Sequence, residues 1–272
     1  MKISSALHLG IICVFLLSAC ARSGANSQPA GSLTGELTVF AAASLTESFT
    51  EIAQAFERGN SGVKVVLNFA GSQQLAQQLA QGAPADVFAS ANQTQMQAAI
   101  EAGRVEAESV EILTYNHLVV VLPHDNPAQI SKLADLAHPG LKIVLADGAV
   151  PVGRYSLAFF DAAAQEPALG EAFRTGTLEN VVSYEQTVKA VLSKVLLGEA
   201  DAGIVYTSDV TSVKDGQVQT LEIPAALNQV AEYPIAPVSS SAHPELAGRF
   251  MAFTLSPAGQ DILARYGFLP PP

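Results

Sequence analysis

The apolar positions of the chain follow two alternating spacings, one typical of β-strands and one typical of α-helices. The segment Leu37–Phe49, LTVFAAASLTESF, opens with strand-forming residues, passes through three alanines to Ser44 and then takes up helical spacing. The pattern returns at Val63–Phe69, where apolar residues alternate, a turn follows, and Ser72 opens the run SQQLAQQLAQG. The sequence therefore predicts two successive strand-serine-helix units.

Strands and helices keep alternating along the rest of the chain. We predict strands at 86–89, 112–122, 141–146, 202–206 and 233–238, and helices at 93–101, 157–164, 183–197, 244–255 and 257–266. This order is typical of an α/β protein with a doubly wound, mostly parallel sheet flanked by helices.

The strand predicted at 112–122 is long enough to leave one lobe and enter another, and the strand at 233–238 leads back. We therefore predict two lobes with the ligand in the cleft between them. Lobe I comprises 36–117 and 234–272, and lobe II comprises 118–233.

The two serines suggest the chemistry of the cleft. A serine at a helix N-terminus offers its hydroxyl beside backbone N–H groups that lack intrahelical partners, and the helix dipole adds partial positive charge there. Each serine alone is usually just a cap. Ser44 and Ser72 together, at the carboxyl ends of neighbouring parallel strands, face one crevice and suit an anion.

The N-terminus has the pattern of an export signal. Lys2 supplies a charge, Leu9–Leu17 is an apolar run too short to remain as a membrane span, and Leu-Ser-Ala-Cys20 resembles a bacterial lipobox. We predict a lipoprotein signal peptide at 1–19 and a flexible tether at 20–35 that starts from lipidated Cys20. An ordinary signal peptide with a chance cysteine is the alternative.

Composition limits the partners. The net charge is −11, and the 14 Lys and Arg residues are scattered, which argues against nucleic acid or an anionic membrane surface as a partner. Membrane contact is expected only through the lipid anchor, because no later apolar run is long enough to span a bilayer. Removal of 1–19 discards Cys13 and leaves Cys20 as the only thiol, so no disulfide can form within the mature chain.

Six motifs occur in an order that points to one family. They are TVFAAASLTESF, FAGSQQLAQQL, GAPADVFASA, VPVGRY, GEADAGIVYTSD and RYGF. With them the chain resembles the periplasmic molybdate-binding proteins of ABC transporters, which are type II solute-binding proteins. The resemblance covers Leu37–Phe268.

The resemblance implies a set of residues that hold a tetrahedral oxyanion with hydroxyls and backbone amides and without a counter-charge. Ser44 and Ser72 match two serines that donate through hydroxyl and amide, Val152 and Val188 match residues that donate their amides, and Tyr206 matches a tyrosine whose hydroxyl reaches the ligand. Molybdenum is then bound only as the oxyanion, and no cofactor is expected.

Some positions depart from the family pattern. Val152 stands where alanine is common, which keeps the amide donor and narrows the pocket, and Gly71 and Gln73 stand where serines are frequent. Val188 conflicts with the predicted helix at 183–197, because a capping box at Ser183 would leave the Val188 amide already engaged.

These features predict a monomeric, lipid-anchored, extracytoplasmic solute-binding protein that is not an enzyme. It faces the periplasm or the cell exterior, captures molybdate and also tungstate, and delivers them to an ABC transporter permease in the cytoplasmic membrane. A binding protein for sulfate or another small anion on the same scaffold is the first alternative. A hydrolase is a second, although neither serine lies in G-x-S-x-G, and a purely structural lipoprotein is a third.

Overall fold

The computed structural model describes residues 34–271, so the predicted signal peptide, lipidated Cys20 and all but the last two residues of the predicted tether lie outside the described residues. Strand β1 begins at Thr34, two residues before the predicted start of the folded part at Glu36. Residues 32–272 form one compact unit, which makes a fragment from residue 32 suitable for solution experiments.

The first part of the chain builds three parallel strands and three helices. These are β1 (Thr34–Ala42), α1 (Thr46–Gly59), β2 (Gly62–Ala70), α2 (Ser72–Ala80), β3 (Val87–Ala89) and α3 (Gln93–Glu101). Helix α1 buries Phe49, Ile52, Ala53 and Phe56, the spacing of one helical face, and its phenylalanines meet Phe250 edge to face. This half of the core therefore packs α1 between the sheet and the C-terminal helices.

The middle of the chain builds a second group of strands and helices. They are β4 (Glu111–Pro123), β5 (Ile143–Ala146), α4 (Pro151–Ala164), α5 (Gly170–Glu179), β6 (Val181–Glu185), α6 (Val188–Leu196), β7 (Ala202–Tyr206), α7 (Thr207–Thr211) and β8 (Val218–Glu222). Phe159, Phe160 and Phe173 form an aromatic cluster between α4 and α5. The chain ends with β9 (Val230–Pro237), α8 (Pro244–Leu255) and α9 (Pro257–Arg265).

The strands follow the order β2-β1-β3-β9-β4-β7-β5-β6, with β8 also paired to β4. Strands β1, β2 and β3 pair in parallel, as do β5, β6 and β7, whereas β4 and β9 pair antiparallel with their neighbours. The predicted α/β class is confirmed. The antiparallel pairs arise because β4 and β9 are the strands that connect the two parallel groups.

Strand β4 is shared by both groups. Its residues Glu111–His117 pair with β9, its residues Val119–Pro123 pair with β8, and its residues Leu118–Val121 pair with β7. We call the group around β1, β2 and β3 the first lobe and the group around β5, β6 and β7 the second lobe. The lobe boundaries at 117/118 and 233/234 stay a prediction.

One predicted helix starts too early. The helix predicted at 183–197 begins at Val188, and Val181–Glu185 is strand β6, paired with β5. The β-forming residues Val182 and Tyr184 and the pairing with β5 outweigh the local capping pattern that starts at Ser183. Strand β8 and helix α5 were not predicted, because their apolar residues are few and partly exposed.

Within residues 34–271, every helix is too short or too polar to cross a bilayer.

Candidate functional site

A small cavity lies between the two lobes, and the structure brings all five residues implied by the resemblance to its wall. Ser44 and Ser72 come from the first lobe, and Val152, Val188 and Tyr206 come from the second. The cavity volume open to the centre of a water-sized sphere is about 10 Å³, far below the range typical of pockets for larger organic ligands. The other lining residues are Ala42, Ala43, Gly71, Ala91, Val150 and Pro151.

Strand register places the two serines side by side. In the parallel pair β1–β2, Ala42 lies opposite Ala70, so both strands end at the same level. Each serine follows two residues later, Ser44 in a short 3-10 turn and Ser72 as the first residue of α2. The repeated strand-serine-helix pattern of the sequence is therefore also a spatial pair.

Ser44 is not a helix cap, contrary to the sequence-based expectation. The residue before α1 is Leu45, and the buried Ser44 hydroxyl instead lies 2.9 Å from the hydroxyl of Tyr233 on β9. When the Tyr233 phenol donates, Ser44 Oγ is the acceptor and its own hydrogen is available to the cavity. The long-range partner therefore leaves Ser44 able to donate to a ligand.

Ser72 is not a cap either, since Gly71 holds that position in front of α2. The Ser72 hydroxyl is buried and accepts a hydrogen bond of 3.0 Å from the backbone N–H of Ala91. With its oxygen engaged as an acceptor, the hydroxyl hydrogen of Ser72 is also free to donate. The two serines thus present donors in the same way, although their partners differ.

Val152 and Val188 lie in the first turns of α4 and α6. Val152 follows Pro151, the first residue of α4, and Val188 is the first residue of α6, after the cap Thr187. Neither amide has an acceptor within residues 34–271, as expected for first-turn N–H groups. The conflict over Val188 disappears because Ser183 lies in a strand.

Three helices, α2, α4 and α6, therefore direct their N-termini at one cavity. Their dipoles place partial positive charge there, and none of the lining residues carries a formal charge. The start of α4 is held close to β5, since a Cβ on Gly153 would meet the carbonyl oxygen of Asp147 at 2.1 Å. The electrostatics of the cavity favour a small anion.

Tyr206 ends β7 with its side chain fully buried. Among the described residues its hydroxyl has no hydrogen-bond partner. Burial, with the Tyr233 hydroxyl nearby, raises the pKa of Tyr206 well above its ordinary value of 10.0, so the phenol stays protonated and can donate a hydrogen bond into the cavity.

Behind the cavity lies a charged group that the sequence did not single out. Lys189 Nζ lies 2.7 Å from Glu47 Oε2 on α1 and 3.3 Å from Asp209 Oδ1 on α7. Asp209 Oδ2 also accepts a hydrogen bond of 3.1 Å from the backbone N–H of Tyr206. Lys189 thus joins the helix after Ser44, the helix of Val188 and the turn after Tyr206.

Burial raises the pKa of Asp209 to about 6 from an ordinary value of 3.8, against the lowering effect of Lys189. Asp209 lies within the motif GIVYTSD, which is the only sequence signal that could have found it. Tyr233 and Lys189 had no such signal, because each acts through a contact with residues far away in the chain.

Among residues 34–271, His, Cys, Asp and Glu side chains do not gather into groups that could hold a metal ion.

Known proteins resemble this chain over almost its whole length. A family described as bacterial extracellular solute-binding protein matches residues 37–269. The chain is 40% identical over 270 residues to the molybdate-binding protein ModA of Mycobacterium tuberculosis, covering 97% of this chain and 98% of that one. It is 32% identical to ModA of Escherichia coli over 240 residues, covering 86% and 89% of the two chains.

Solved structures share the fold. The periplasmic molybdate-binding protein of Azotobacter vinelandii superposes with a TM-score of 0.74 at 20% identity, covering 87% of this chain and 100% of that one. The sulfate-binding protein SubI of M. tuberculosis superposes with a TM-score of 0.77 at 22% identity, covering 88% and 87%. At these identities the likeness establishes the two-lobed fold and not the ligand.

Proposed function

The chain belongs to the bacterial extracellular solute-binding protein family, and from this premise we propose that it captures molybdate and delivers it to an ABC transporter permease. One observation carries the proposal: three helix N-termini, two serine hydroxyls and the Tyr206 hydroxyl, which has no partner within residues 34–271, converge on one small uncharged cavity. The identity to ModA proteins over almost the whole chain supports molybdate as the ligand.

Neutral donors suit a fully deprotonated oxyanion. Each oxygen of such an ion accepts hydrogen bonds, and the ion needs no acceptor from the protein. Ser44, Ser72 and Tyr206 would donate hydroxyls, and Val152 and Val188 would donate amides. Hydrogen phosphate carries its own proton and would require an acceptor such as a carboxylate, yet no carboxylate from the described part of the chain lines the cavity.

Molybdenum would be held only through the oxygens of the ion, so it is cargo and not a cofactor. Tungstate has the same charge and shape, and we propose that it binds at the same donors. Sulfate is the alternative ligand. It also has the same charge and shape but shorter bonds. Because the fold is similar to that of the sulfate-binding protein SubI, sulfate is included in the titration below.

The proposed role is binding without catalysis. A serine nucleophile needs an adjacent base. The Ser44 hydroxyl pairs with a tyrosine, and the Ser72 hydroxyl pairs with a backbone amide. These partners orient a hydroxyl toward a ligand and do not activate it for attack.

We further propose that the protein is exported and anchored by lipid on Cys20, facing the periplasm or cell exterior, and works as a monomer. A Cys20→Ala variant tests the anchor by cell fractionation. We expect the parent protein in the membrane fraction and the variant in the soluble extracytoplasmic fraction. Recovery of both in the same fraction would contradict lipid anchoring.

Isothermal titration of the 32–272 fragment with molybdate, tungstate, sulfate and phosphate tests the ligand. We expect one-to-one binding of molybdate and tungstate and little response to the other two anions. Sulfate binding as tight as molybdate binding would keep the site but overturn the specificity. Silence with all four anions would overturn the proposed function.

A further inference from the structure

Gly71 lies between β2 and α2 and lines the wall of the cavity. Its backbone angles, φ −59° and ψ 137°, are open to any residue. The local conformation therefore gives no reason for a glycine here. The reason must come from what lies next to it in space.

The neighbour is the backbone of the other lobe. A Cβ on Gly71 would lie 2.6 Å from the carbonyl oxygen of Gln186, in the second-lobe loop between β6 and α6. Real Cβ atoms essentially never come so close to an oxygen. Because a carbonyl oxygen of the main chain cannot rotate away as a side chain can, a Cβ at this position would require the lobes to separate.

The space left by the missing Cβ holds a bridge between the lobes. The side chain of Gln73 folds over Gly71, with its amide atoms 2.5 and 2.6 Å from where the Cβ would be. Gln73 Nε2 donates a hydrogen bond of 3.0 Å to the same Gln186 carbonyl. Because Gly71 has no Cβ, the Gln73 side chain of the first lobe and the Gln186 carbonyl of the second lobe can both lie against it.

A second polar bridge and an ion pair span the cleft at other points. Gln95 Nε2 on α3 donates to the Ala149 carbonyl before α4 at 3.2 Å, and Lys189 reaches Glu47. Both of these contacts are made by flexible side chains, and neither requires a glycine. Gly71 is therefore the point where the approach of the two lobes is limited by backbone and not by flexible side chains.

We propose that Gly71 is a positioning residue that sets how far the lobes can close, and that the Gln73–Gln186 hydrogen bond latches the closed arrangement. The proposal rests on the proposed function, since closure matters because it brings the amides of Val152 and Val188 to the serines of the first lobe. In this chain, where the Gln73 side chain and the Gln186 carbonyl oxygen both lie against position 71, a Cβ there holds these two sets of donors apart.

The direct test is Gly71→Ala in the 32–272 fragment. The fragment contains neither Cys13 nor Cys20, so cysteines introduced at exposed Gln97 on the first lobe and exposed Glu199 on the second can carry a pair of distance probes. The inter-lobe distance is measured without ligand and with saturating molybdate, and affinity is measured by titration. Gly248→Ala is the matched control, because a Cβ there meets nothing within 4 Å.

We expect Gly71→Ala to lengthen the inter-lobe distance even at saturating molybdate and to weaken binding at least about tenfold, the effect of losing one hydrogen bond to a charged ligand. Gly248→Ala should match the parent fragment in both measurements. A defect confined to the ligand contacts would behave differently, since saturation would then restore the parent distance.

A double variant separates the two parts of the clash. Gln73→Ala alone removes the hydrogen bond to Gln186 but leaves Gly71 without a Cβ, so the lobes can still approach. We therefore expect affinity to fall only a few fold and the inter-lobe distance at saturating molybdate to match that of the parent. Gly71→Ala combined with Gln73→Ala relieves the side-chain clash but not the clash with the Gln186 backbone. The combined variant should therefore stay as open as Gly71→Ala.

The outcomes separate this inference from the proposed function. Parent distance and parent affinity in Gly71→Ala would overturn the inference and leave the function standing. A parent fragment that reaches the short distance but ignores molybdate would overturn the proposed ligand only. A parent fragment that shows a single long distance in every condition would overturn the closure contact itself.

Discussion

At the scale of single residues, anion binding in the cavity depends on which hydroxyl groups have a hydrogen free to donate. The Ala91 amide donates to the Ser72 oxygen, and the Tyr233 hydroxyl can donate to the Ser44 oxygen, an arrangement in which both serines offer a hydrogen to the cavity. The Tyr206 hydroxyl is buried without a partner among the described residues, which is costly unless a ligand completes it. The donors available to a ligand therefore depend on the hydrogen-bond partner that each hydroxyl has, or lacks, among the described residues.

Replacing Ser44 and Ser72 together with alanine should remove most of the affinity for molybdate and leave the fold intact. Two donors to a charged ligand are lost, each worth about 1.5–3 kcal/mol, so titration should give an affinity at least about a hundredfold weaker. Ser48→Ala is the control, because Ser48 is equally buried but bonds only to the Leu45 carbonyl of its own turn. Unchanged binding in the double variant would contradict the site.

Tyr206→Phe should separate binding from stability. It removes one donor to the ligand and keeps the ring packed at 5.8 Å from Tyr233, so we expect affinity about tenfold weaker by titration. The unliganded variant should be at least as stable as the parent in chemical denaturation, because an unpaired buried hydroxyl is removed. Tyr184→Phe, at an exposed position, is the matched control and should change neither quantity. A less stable unliganded Tyr206→Phe variant would mean that the hydroxyl has a partner within the protein.

At the scale of elements, helix N-termini and their supports define the site. Helices α2, α4 and α6 bring free amides, and α7 is capped by Asp209, which accepts from the Tyr206 N–H. Lys189, the second residue of α6, ties α6 to both α7 and α1. One charge network, with Asp209 buried and Lys189 and Glu47 partly exposed, therefore links α6 to α7 and to α1.

Asp209 gives this network a pH dependence. Its pKa in the folded protein, about 6, is above the ordinary 3.8, so between these values the folded state binds more protons than the unfolded chain. The contribution of Asp209 to the free energy of unfolding therefore falls as pH rises from about 4 to 6, by on the order of 3 kcal/mol in full.

Asp209→Asn should remove this contribution, since an amide does not titrate but its oxygen can still accept from the Tyr206 N–H. Denaturant unfolding at pH 4 and pH 7 measures it as the difference between parent and variant, in which other carboxyl groups cancel. We expect the parent to gain stability relative to the variant as pH falls. A difference that is constant with pH would contradict the raised pKa of Asp209.

The elements near the site also reveal where sequence patterns fail. The helices α3 and α8 and the strand β7 begin and end at the predicted residues, because their apolar spacing agrees with their local signals. At Ser183 the two disagreed: a capping pattern predicted a helix, while pairing with β5 gives a strand. Pairing with a distant strand is not encoded in the local pattern, so it could not be weighed from the sequence.

At the scale of the whole molecule, two lobes share β4 and β9 and enclose the cavity between them. A ligand held by both lobes binds the folded closed state and not the unfolded chain, so binding stabilises the fold. The structural-lipoprotein alternative lacks this coupling. Ligand-induced stabilisation therefore distinguishes a binding protein from a structural one.

Thermal unfolding of the 32–272 fragment should shift upward with molybdate. At a concentration of 100 times the Kd, the stabilisation is about 2.7 kcal/mol, which corresponds to about 5 to 10 °C in Tm for a protein of this size. Nitrate, an anion of different shape and lower charge, is the negative control. An unchanged Tm at high molybdate concentration would favour the structural reading.

The sequence by itself determined the α/β class, the two strand-serine-helix units and most of the helices and strands, because these depend on spacing between near neighbours along the chain. The family resemblance named the five residues that the fold brings to one cavity. Only the tertiary structure decided that Ser44 and Ser72 are not caps, that Asp209 is buried beside Lys189, and that Gly71 faces the backbone of Gln186. Each of these depends on a contact between segments far apart in sequence, and no local pattern specifies which atoms such a contact will bring together.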